Sequence, residues 1–454
     1  MLPHLLRSRR TVTLLGAAAL ALGATLPAAS AATAPAAATP WGADSHQASA
    51  VYSRVDGAPS AWQAGIDGRG VSVAVVDTGI STTGDLAGKV IDGFDFSGEG
   101  DYTKDSYGHG TFVAGTIAGS GAASGGAVKG VAPGANLVSL KVAGADGKTN
   151  LARVVFAIKW AVVHAKADNI RVLNLSFGVV PDKSWTSAAL NGAVEAAWDA
   201  GLVVVVSAGN NGIGGIAKPA DDPFVVTVGA SDDATTVARG DDTVAAFSSA
   251  GPTADGIAKP DLVAPGSHLV STRAVGSTVD LAHPQARVLD GYFRGSGTSF
   301  AAPQVAGAAA LLLEQRPQLS NDHVKAMLVR SAHLLPSAPA RAQGAGALDI
   351  AALLAVKPGK PANTGIRVST GTGTVTLSPG QLAQAVAQFT NSWDTNSWDT
   401  NSWDTNSWDT NSWDTNSWDT NSWDTNSWDT NSWDTNSWDT NSWDTNSWDT
   451  NSWD

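Results

Sequence analysis

Short aliphatic runs recur between residues 51 and 355, each bounded by glycine or a polar residue: VSVAVV at 71–76, LVSLKV at 137–142, RVLNLS at 171–176, LVVVV at 202–206 and FVVTVG at 224–229. Runs this short and this rich in β-branched residues predict strands buried on both faces, because a half-exposed strand alternates apolar with polar positions. Between them lie stretches of helical period. Residues 151–167 place Val154, Val155, Ile158 and Val162 on one side, residues 187–200 form a second such stretch stopped by Gly201, and a third runs from Phe300 to Gln315. Continuous apolar strands separated by helices predict an α/β domain, a parallel β-sheet covered by helices on both faces. In such sheets the working loops lie beyond the carboxyl ends of the strands, so chemistry is to be sought just after each run.

Four positions stand out, two of them just after such a run and two at the start of a helical stretch. The first strand runs directly into Asp77-Thr78-Gly79, and an acid at the end of a buried strand is fixed and partly desolvated, as suits a group that orients a histidine. In GHGTFVAGTIAG, His109 stands between Gly108 and Gly110, which leave room for an imidazole and for substrate backbone. In VVVVSAGNNG, Asn210 follows a strand, where its amide could donate to a developing oxyanion. In RGSGTSFAAPQVAG, Ser299 sits among small residues at the start of a helix, whose amino end favours negative charge. Each feature alone has an ordinary explanation as a turn, loop or cap residue. Their joint occurrence, each in the local setting its role requires, points to a hydroxyl nucleophile with a base, an orienting acid and an oxyanion donor.

The blocks VAVVDTGI, GHGTFVAGT, SAGNNG and GTSFAAPQVAG closely resemble the four signature blocks of the subtilisin-like serine peptidases, in that family's order, over about residues 51–355. The resemblance implies a subtilisin-like fold and makes Ser299 the nucleophile, His109 the general base and later acid, Asp77 the orienting carboxylate and Asn210 an oxyanion donor. It implies a peptide substrate lying as an added strand against Ser176-Phe177-Gly178 and the edge Gly147-Lys148-Thr149. It also gives the first specificity pocket walls from Ser207, Ala208, Gly209 and Ala217. Nothing charged stands among those wall residues, so a large apolar or aromatic side chain is expected before the scissile bond. AKPADDP matches a segment where the family often has a cis peptide, which makes Lys218-Pro219 a candidate, and GAGALD at 344–349 resembles the family's closing turn before its last helix.

Departures from the family pattern qualify the rest. The loop GSGAASGGAVKG lacks the carboxylates and carboxamides of the family's first calcium site, and Asp85 alone does not make a calcium cage, so no cofactor is expected for the chemistry and structural calcium is left open. Phe112 stands where many relatives have a second histidine, and residues 275–294 read as an insertion just before the nucleophile block. GADGKT is no phosphate loop, because its spacing would put the first glycine at 142, which is Val142. The eight histidines include no pair with zinc-peptidase spacing, so no metal ligands are expected.

Composition sets the surroundings. The net charge of −13 comes from a terminal repeat whose 13 Asp stand without a Lys or Arg; upstream, 28 acidic residues balance 28 basic ones, which leaves no electrostatic footprint for nucleic acid. Residues 1–31, with Arg7, Arg9 and Arg10 ahead of an uncharged Ala/Gly-rich stretch and a small-residue cleavage site, read as an export signal by the general or the twin-arginine route. With no cysteine, an exported chain gains nothing from disulfides. Residues 32–50 form a short N-terminal or pro segment too small for a core of its own. Residues 356–390 read as a linker, and 391–454 repeat NSWDT with one Trp in every five residues, a period that fits neither helix nor strand and predicts disorder. Evenly spaced indoles could make many weak contacts to cell-wall glycans. A secreted, monomeric endopeptidase acting on proteins or peptides is the reading; the alternative is an inert peptidase-like domain that presents the Trp repeat to a surface.

Overall fold

The computed structural model describes residues 51–178 and 188–366. The expected export signal, the segment 32–50, linker residues 367–390 and the NSWDT repeat lie outside the described residues. Helices α1 (Val51–Val55) and α2 (Ala58–Gln63) lead into strands β1 (Ser72–Asp77) and β2 (Val90–Asp95). Helix α3 (His109–Ala118) precedes β3 (Asn136–Lys141), α4 (Leu151–His164) precedes β4 (Ile170–Leu175), and α5 (Ala189–Asp199) precedes β5 (Val203–Ser207). There follow β6 (Val226–Asp232), β7 (Thr243–Val244), β8 (Leu262–Pro265), β9 (Leu269–Thr272), α6 (Thr278–Ala282), β10 (Arg287–Val288) and β11 (Tyr292–Gly295). Helices α7 (Thr298–Gln315), α8 (Asn321–Ser331), α9 (Ala340–Gln343) and α10 (Ile350–Ala355) complete the domain.

The main sheet runs β2-β3-β1-β4-β5-β6 with every neighbour parallel, and β8 joins β6 in parallel while β7 pairs with it antiparallel. Each of the five aliphatic runs is a strand of this sheet, and β1 and β5 are buried at every position, as their uninterrupted apolar character requires. Helix α3 packs with α7 and α4 with α5, giving helical layers about the central strands, so the domain is an α/β fold with a mostly parallel sheet. After β1 the chain passes to β2 and then β3 on one side, whereas from β4 it crosses to β5 on the other. That reversal opens a crevice beyond the carboxyl ends of β1 and β4.

Helix α7 is buried from Thr298 to Leu313, which explains why its sequence is apolar on all sides and rich in alanine. It starts two residues earlier than its apolar pattern suggests, so Ser299 belongs to its first turn rather than preceding it. The periodicity missed β2 altogether. Asp92 and Asp95 interrupt its aliphatic run, and Ile91 and Phe94 face outward at 47% and 48% exposure, as an edge strand permits. Gly93 there is obligatory, since a methyl group would run into Ser139 O of the neighbouring strand.

Residues 275–294 build α6, a turn of 3-10 helix, β10 and β11, and the last two form a small antiparallel sheet with β9. The Lys218-Pro219 bond is cis, as are Gly251-Pro252 and Lys259-Pro260. The closing turn leads to α10, capped by Asp349 Oδ1 accepting from Ala352 N at 2.9 Å. This last helix meets the first residues of the domain: Ile350 N donates to Asp56 O at 2.8 Å, and Arg239 Nη1 pairs with Asp349 Oδ2 at 2.6 Å while its Nε donates to Val55 O at 2.9 Å. No helix among the described residues is long and apolar enough to cross a membrane.

Candidate active site

Asp77 ends β1 with 1% of its surface exposed, and His109 opens α3 with none. The imidazole Nδ1 lies 2.8 Å from Asp77 Oδ1 and 3.0 Å from Oδ2, and Thr78 N also donates to Oδ1 at 2.8 Å. A ring that donates through Nδ1 carries its basic lone pair on Nε2. The close approach of α3 to β1 depends on Gly110, where a methyl group would run into Gly79 O. Gly108, at φ 117°, turns the chain into the helix.

A second carboxylate holds this turn. Buried Asp105 accepts from Thr78 Oγ1 (2.8 Å), Gly108 N (2.7 Å), Thr111 N (2.7 Å) and Thr111 Oγ1 (2.7 Å), while Thr78 Oγ1 accepts from Gly110 N at 2.8 Å. Burial pushes the Asp105 carboxyl above the usual range, and these donors act against that shift. The loop before it is clamped by Glu99, which accepts from buried Lys141 Nζ (2.7 Å), Ser106 Oγ (2.7 Å) and Ala145 N (2.7 Å). Burial raises the Glu99 carboxyl, but bonds from Lys141 and Ser106 prevail and bring it down to about 2.

Ser299 reaches the same place through α7. The imidazole packs against the ring of Phe300, the next residue, at 5.3 Å between centroids, and Phe300 in turn meets Phe112 at 4.2 Å. Phe112 thus backs the ring that packs against the histidine. Ser299 is 2% exposed, and its carbonyl oxygen accepts from Ser176 Oγ at 2.8 Å. Asn210 is oriented from the same helix: its Oδ1 accepts from Thr298 N and Thr298 Oγ1, both at 2.9 Å, while Thr298 Oγ1 accepts from Gly209 N at 3.1 Å. Because Oδ1 receives a backbone N–H, the amide has one allowed orientation, with its donor end turned away from Thr298.

The segments expected to hold substrate stand at or beyond the carboxyl ends of β3, β4 and β5. Ser176-Phe177-Gly178 and Ser207-Ala208-Gly209 continue the neighbouring strands β4 and β5 at their carboxyl ends. Ala217 N donates to Ala208 O at 2.9 Å, and the Ala217 methyl lies close against both glycines, 2.5 Å from where a Cβ on Gly178 would stand and 3.2 Å from one on Gly209. The Ser176 side chain is wholly buried and committed to the Ser299 carbonyl, so of this residue only the main chain is left for a substrate. Gly147-Lys148-Thr149 follows β3, on the other side of β1, with Gly147 against the Tyr107 ring, Lys148 exposed and Thr149 Oγ1 donating to Val142 O at 2.8 Å.

Sequence reasoning missed Asn174, Thr78, Asp105 and Thr298. One signal was available: Asn174 is the lone carboxamide in an otherwise aliphatic strand core, where a polar residue needs a reason. The insertion also has a place. Thr278 N donates to Ser106 O (3.0 Å), Val279 N to Tyr107 O (2.9 Å) and Thr278 Oγ1 to Ala145 O (2.7 Å), so α6 braces the segment leading to His109.

Asp85 does not fit a calcium site. Its Oδ2 accepts from Tyr292 OH at 2.6 Å and its Oδ1 from Ala123 N at 2.9 Å and Ser120 Oγ at 3.1 Å, a shell of hydrogen donors where a cation needs oxygen lone pairs. Among the described residues no group of three or more acidic or histidine side chains is placed to hold a metal ion.

The subtilase family model matches residues 68–346, more than half of the chain. Serine protease AprX of Bacillus subtilis (strain 168) is 41% identical over 292 residues, 63% of this chain and 66% of that protein. Subtilisin BL of Lederbergia lenta is 38% identical over 298 residues, 66% of this chain and 93% of that protein. A solved structure described as a cold adapted subtilisin-like serine proteinase is 30% identical and covers 63% of this chain and 90% of that one, with a TM-score of 0.49. The chain belongs to the subtilase family of serine endopeptidases.

Proposed function

We propose that this chain is a secreted endopeptidase in which Ser299 attacks the peptide carbonyl, His109 takes the Ser299 proton and passes it to the departing amine, and Asp77 holds the imidazole. Water then attacks the acyl-enzyme with His109 again as base, returning a free Ser299 and a carboxylic acid. Asn210 and the Ser299 backbone N–H donate to the oxyanion formed in each step. The observation that carries this reading is the 2.8 Å bond between fully buried His109 Nδ1 and Asp77 Oδ1, directly beside the first turn of the helix that bears Ser299. Each of these steps is carried by groups of the chain itself and water.

A substrate would extend the edge offered by residues 176–178 on one side and 147–149 on the other, with its side chain before the scissile bond between 207–209 and Ala217. Those walls are apolar or small, which favours a large apolar side chain there. Residues 51–355 are the peptidase domain in this reading, preceded by a signal at 1–31 and a short segment at 32–50, and followed by a linker and a monomer's Trp-rich tail with weak affinity for cell-wall glycan. The test is a sulfonyl fluoride or phosphonate probe together with a peptide library. Wild type should be labelled once and Ser299→Ala neither labelled nor active, with cuts falling after large apolar residues. Absence of labelling and turnover in wild type would point instead to an inert domain that presents the tail, and cleavage mainly after Lys or Arg would refute the pocket assignment.

A further inference from the structure

Pro303 stands within helix α7, four residues after Ser299. In an α-helix the N–H of residue 303 would donate to the carbonyl of residue 299, and proline has none. The carbonyl of the proposed nucleophile is thereby deprived of its helical partner, inside a region shielded from water. Its donor comes from another element altogether. Ser176 Oγ, 123 residues earlier in the chain, donates to Ser299 O at 2.8 Å. That hydroxyl is itself oriented, because Asn174 Nδ2 donates to Ser176 Oγ at 2.9 Å.

Asn174 and Ser176 are both wholly buried and stand two residues apart at the carboxyl end of β4, on one face of the strand. The Asn174 Oδ1 is buried and accepts no hydrogen bond among the described residues, so burying this amide is unfavourable unless its donor end is needed. A serine hydroxyl has one proton. With Asn174 donating to its oxygen, that proton is directed at the Ser299 carbonyl and nowhere else.

We infer that Asn174 and Ser176 are positioning residues for the nucleophile: the chain of donors from Asn174 Nδ2 through Ser176 Oγ to Ser299 O replaces the hydrogen bond that Pro303 removes and fixes the first turn of α7. The inference rests on the proposed role of Ser299. It makes the end of β4, which that reading gives to the substrate backbone, and the attacking hydroxyl a single rigid unit, so that a peptide bound along residues 176–178 is in register with the Ser299 oxygen.

The experiment is a double-mutant cycle on the full-length protein with a chromogenic peptide. Ser176→Ala should lower kcat by roughly 10- to 100-fold, the scale on which small misplacements of a reacting group act, with KM nearly unchanged. Ser176→Thr, which keeps the hydroxyl, should restore most of the loss. The decisive step is the background: Pro303→Ala returns an N–H to the helix, so Ser176→Ala should cost much less there than in the proline chain. The second-order rate of sulfonyl fluoride labelling should follow kcat, and the pH profile should keep its shape because the His109–Asp77 pair is untouched. If Ser176→Ala does not fold, Asn174→Leu against wild type, in both backgrounds, gives the same contrast. A kcat within twofold of wild type, a loss confined to KM, or an equal loss in both backgrounds overturns the inference while leaving the proposed activity standing. A wild-type protein that neither labels nor hydrolyses peptide would overturn the activity first.

Discussion

The Ala217 methyl lies against Gly178, on the proposed substrate edge, and against Gly209, with which it walls the proposed specificity pocket. Removing one methyl group from such a wall changes the preference between side chains of different size by about tenfold. Ala217→Gly should therefore raise kcat/KM for peptides with Phe or Tyr before the scissile bond relative to the otherwise identical Ala peptide. An unchanged ratio across a matched set of chromogenic peptides would place Ala217 outside the pocket. At this scale the four residues proposed for the chemistry were legible because each announces itself locally: Asp77 and Asn210 end aliphatic runs, His109 is bracketed by glycines, and Ser299 is surrounded by small residues. Asn174, Thr78, Asp105 and Thr298 were not. Thr78, Asp105 and Thr298 act through partners far along the chain, as in the pairing of Thr298 with Asn210 88 residues away, and Asn174 acts on Ser299 through Ser176, so nothing short of the fold brings such partners together.

Between residues 275 and 294 the chain braces Ser106 and Tyr107 with α6 and caps Asp85 with Tyr292 from β11. Its strands are two and four residues long, too short to carry a period, which is why the sequence marks this region as extra without showing its shape. Burial, and then the bond to Asp85, push the Tyr292 hydroxyl above its ordinary range, so it stays protonated and donates. Tyr292→Phe removes a donor from a carboxylate that is 3% exposed. The expected loss is about 1–3 kcal/mol of unfolding free energy, measured by urea titration in the inactive Ser299→Ala background to avoid self-digestion. In a chain that also carries Asp85→Asn, the same change should cost less.

Over the whole molecule, stability without a single cysteine rests on burial, and burial has trapped several carboxyls. It raises Asp222 and Asp233 to about 7 and Asp242 to about 6, with repulsion from Asp241 adding to the last. An unfolded aspartate titrates near 3.9. Between about pH 4 and 7 the folded protein therefore holds more protons than the unfolded one, and the contribution of these groups to stability falls as pH rises through that window. Asp242, whose oxygens are buried without a hydrogen-bond partner among the described residues, gives the cleanest test. Thermal melts of Asp242→Asn against its parent, again with Ser299→Ala, should show a gap that moves in favour of the variant from pH 5 to pH 8. A gap independent of pH would remove Asp242 from the account. At the same scale, deleting residues 391–454 should leave small-peptide hydrolysis unchanged and reduce retention on isolated cell wall, and equal retention would dismiss the glycan reading of the repeat.

The bond from Ile350 N to Asp56 O, with Arg239 tied to both Val55 O and Asp349, brings the start of the peptidase domain against its finish. Topologically the domain is a nearly closed loop with one seam. A polypeptide emerging from synthesis cannot close that seam until α10 exists, so assembly of the domain waits on synthesis of its last helix, and the same seam is where new termini could be sealed and others opened.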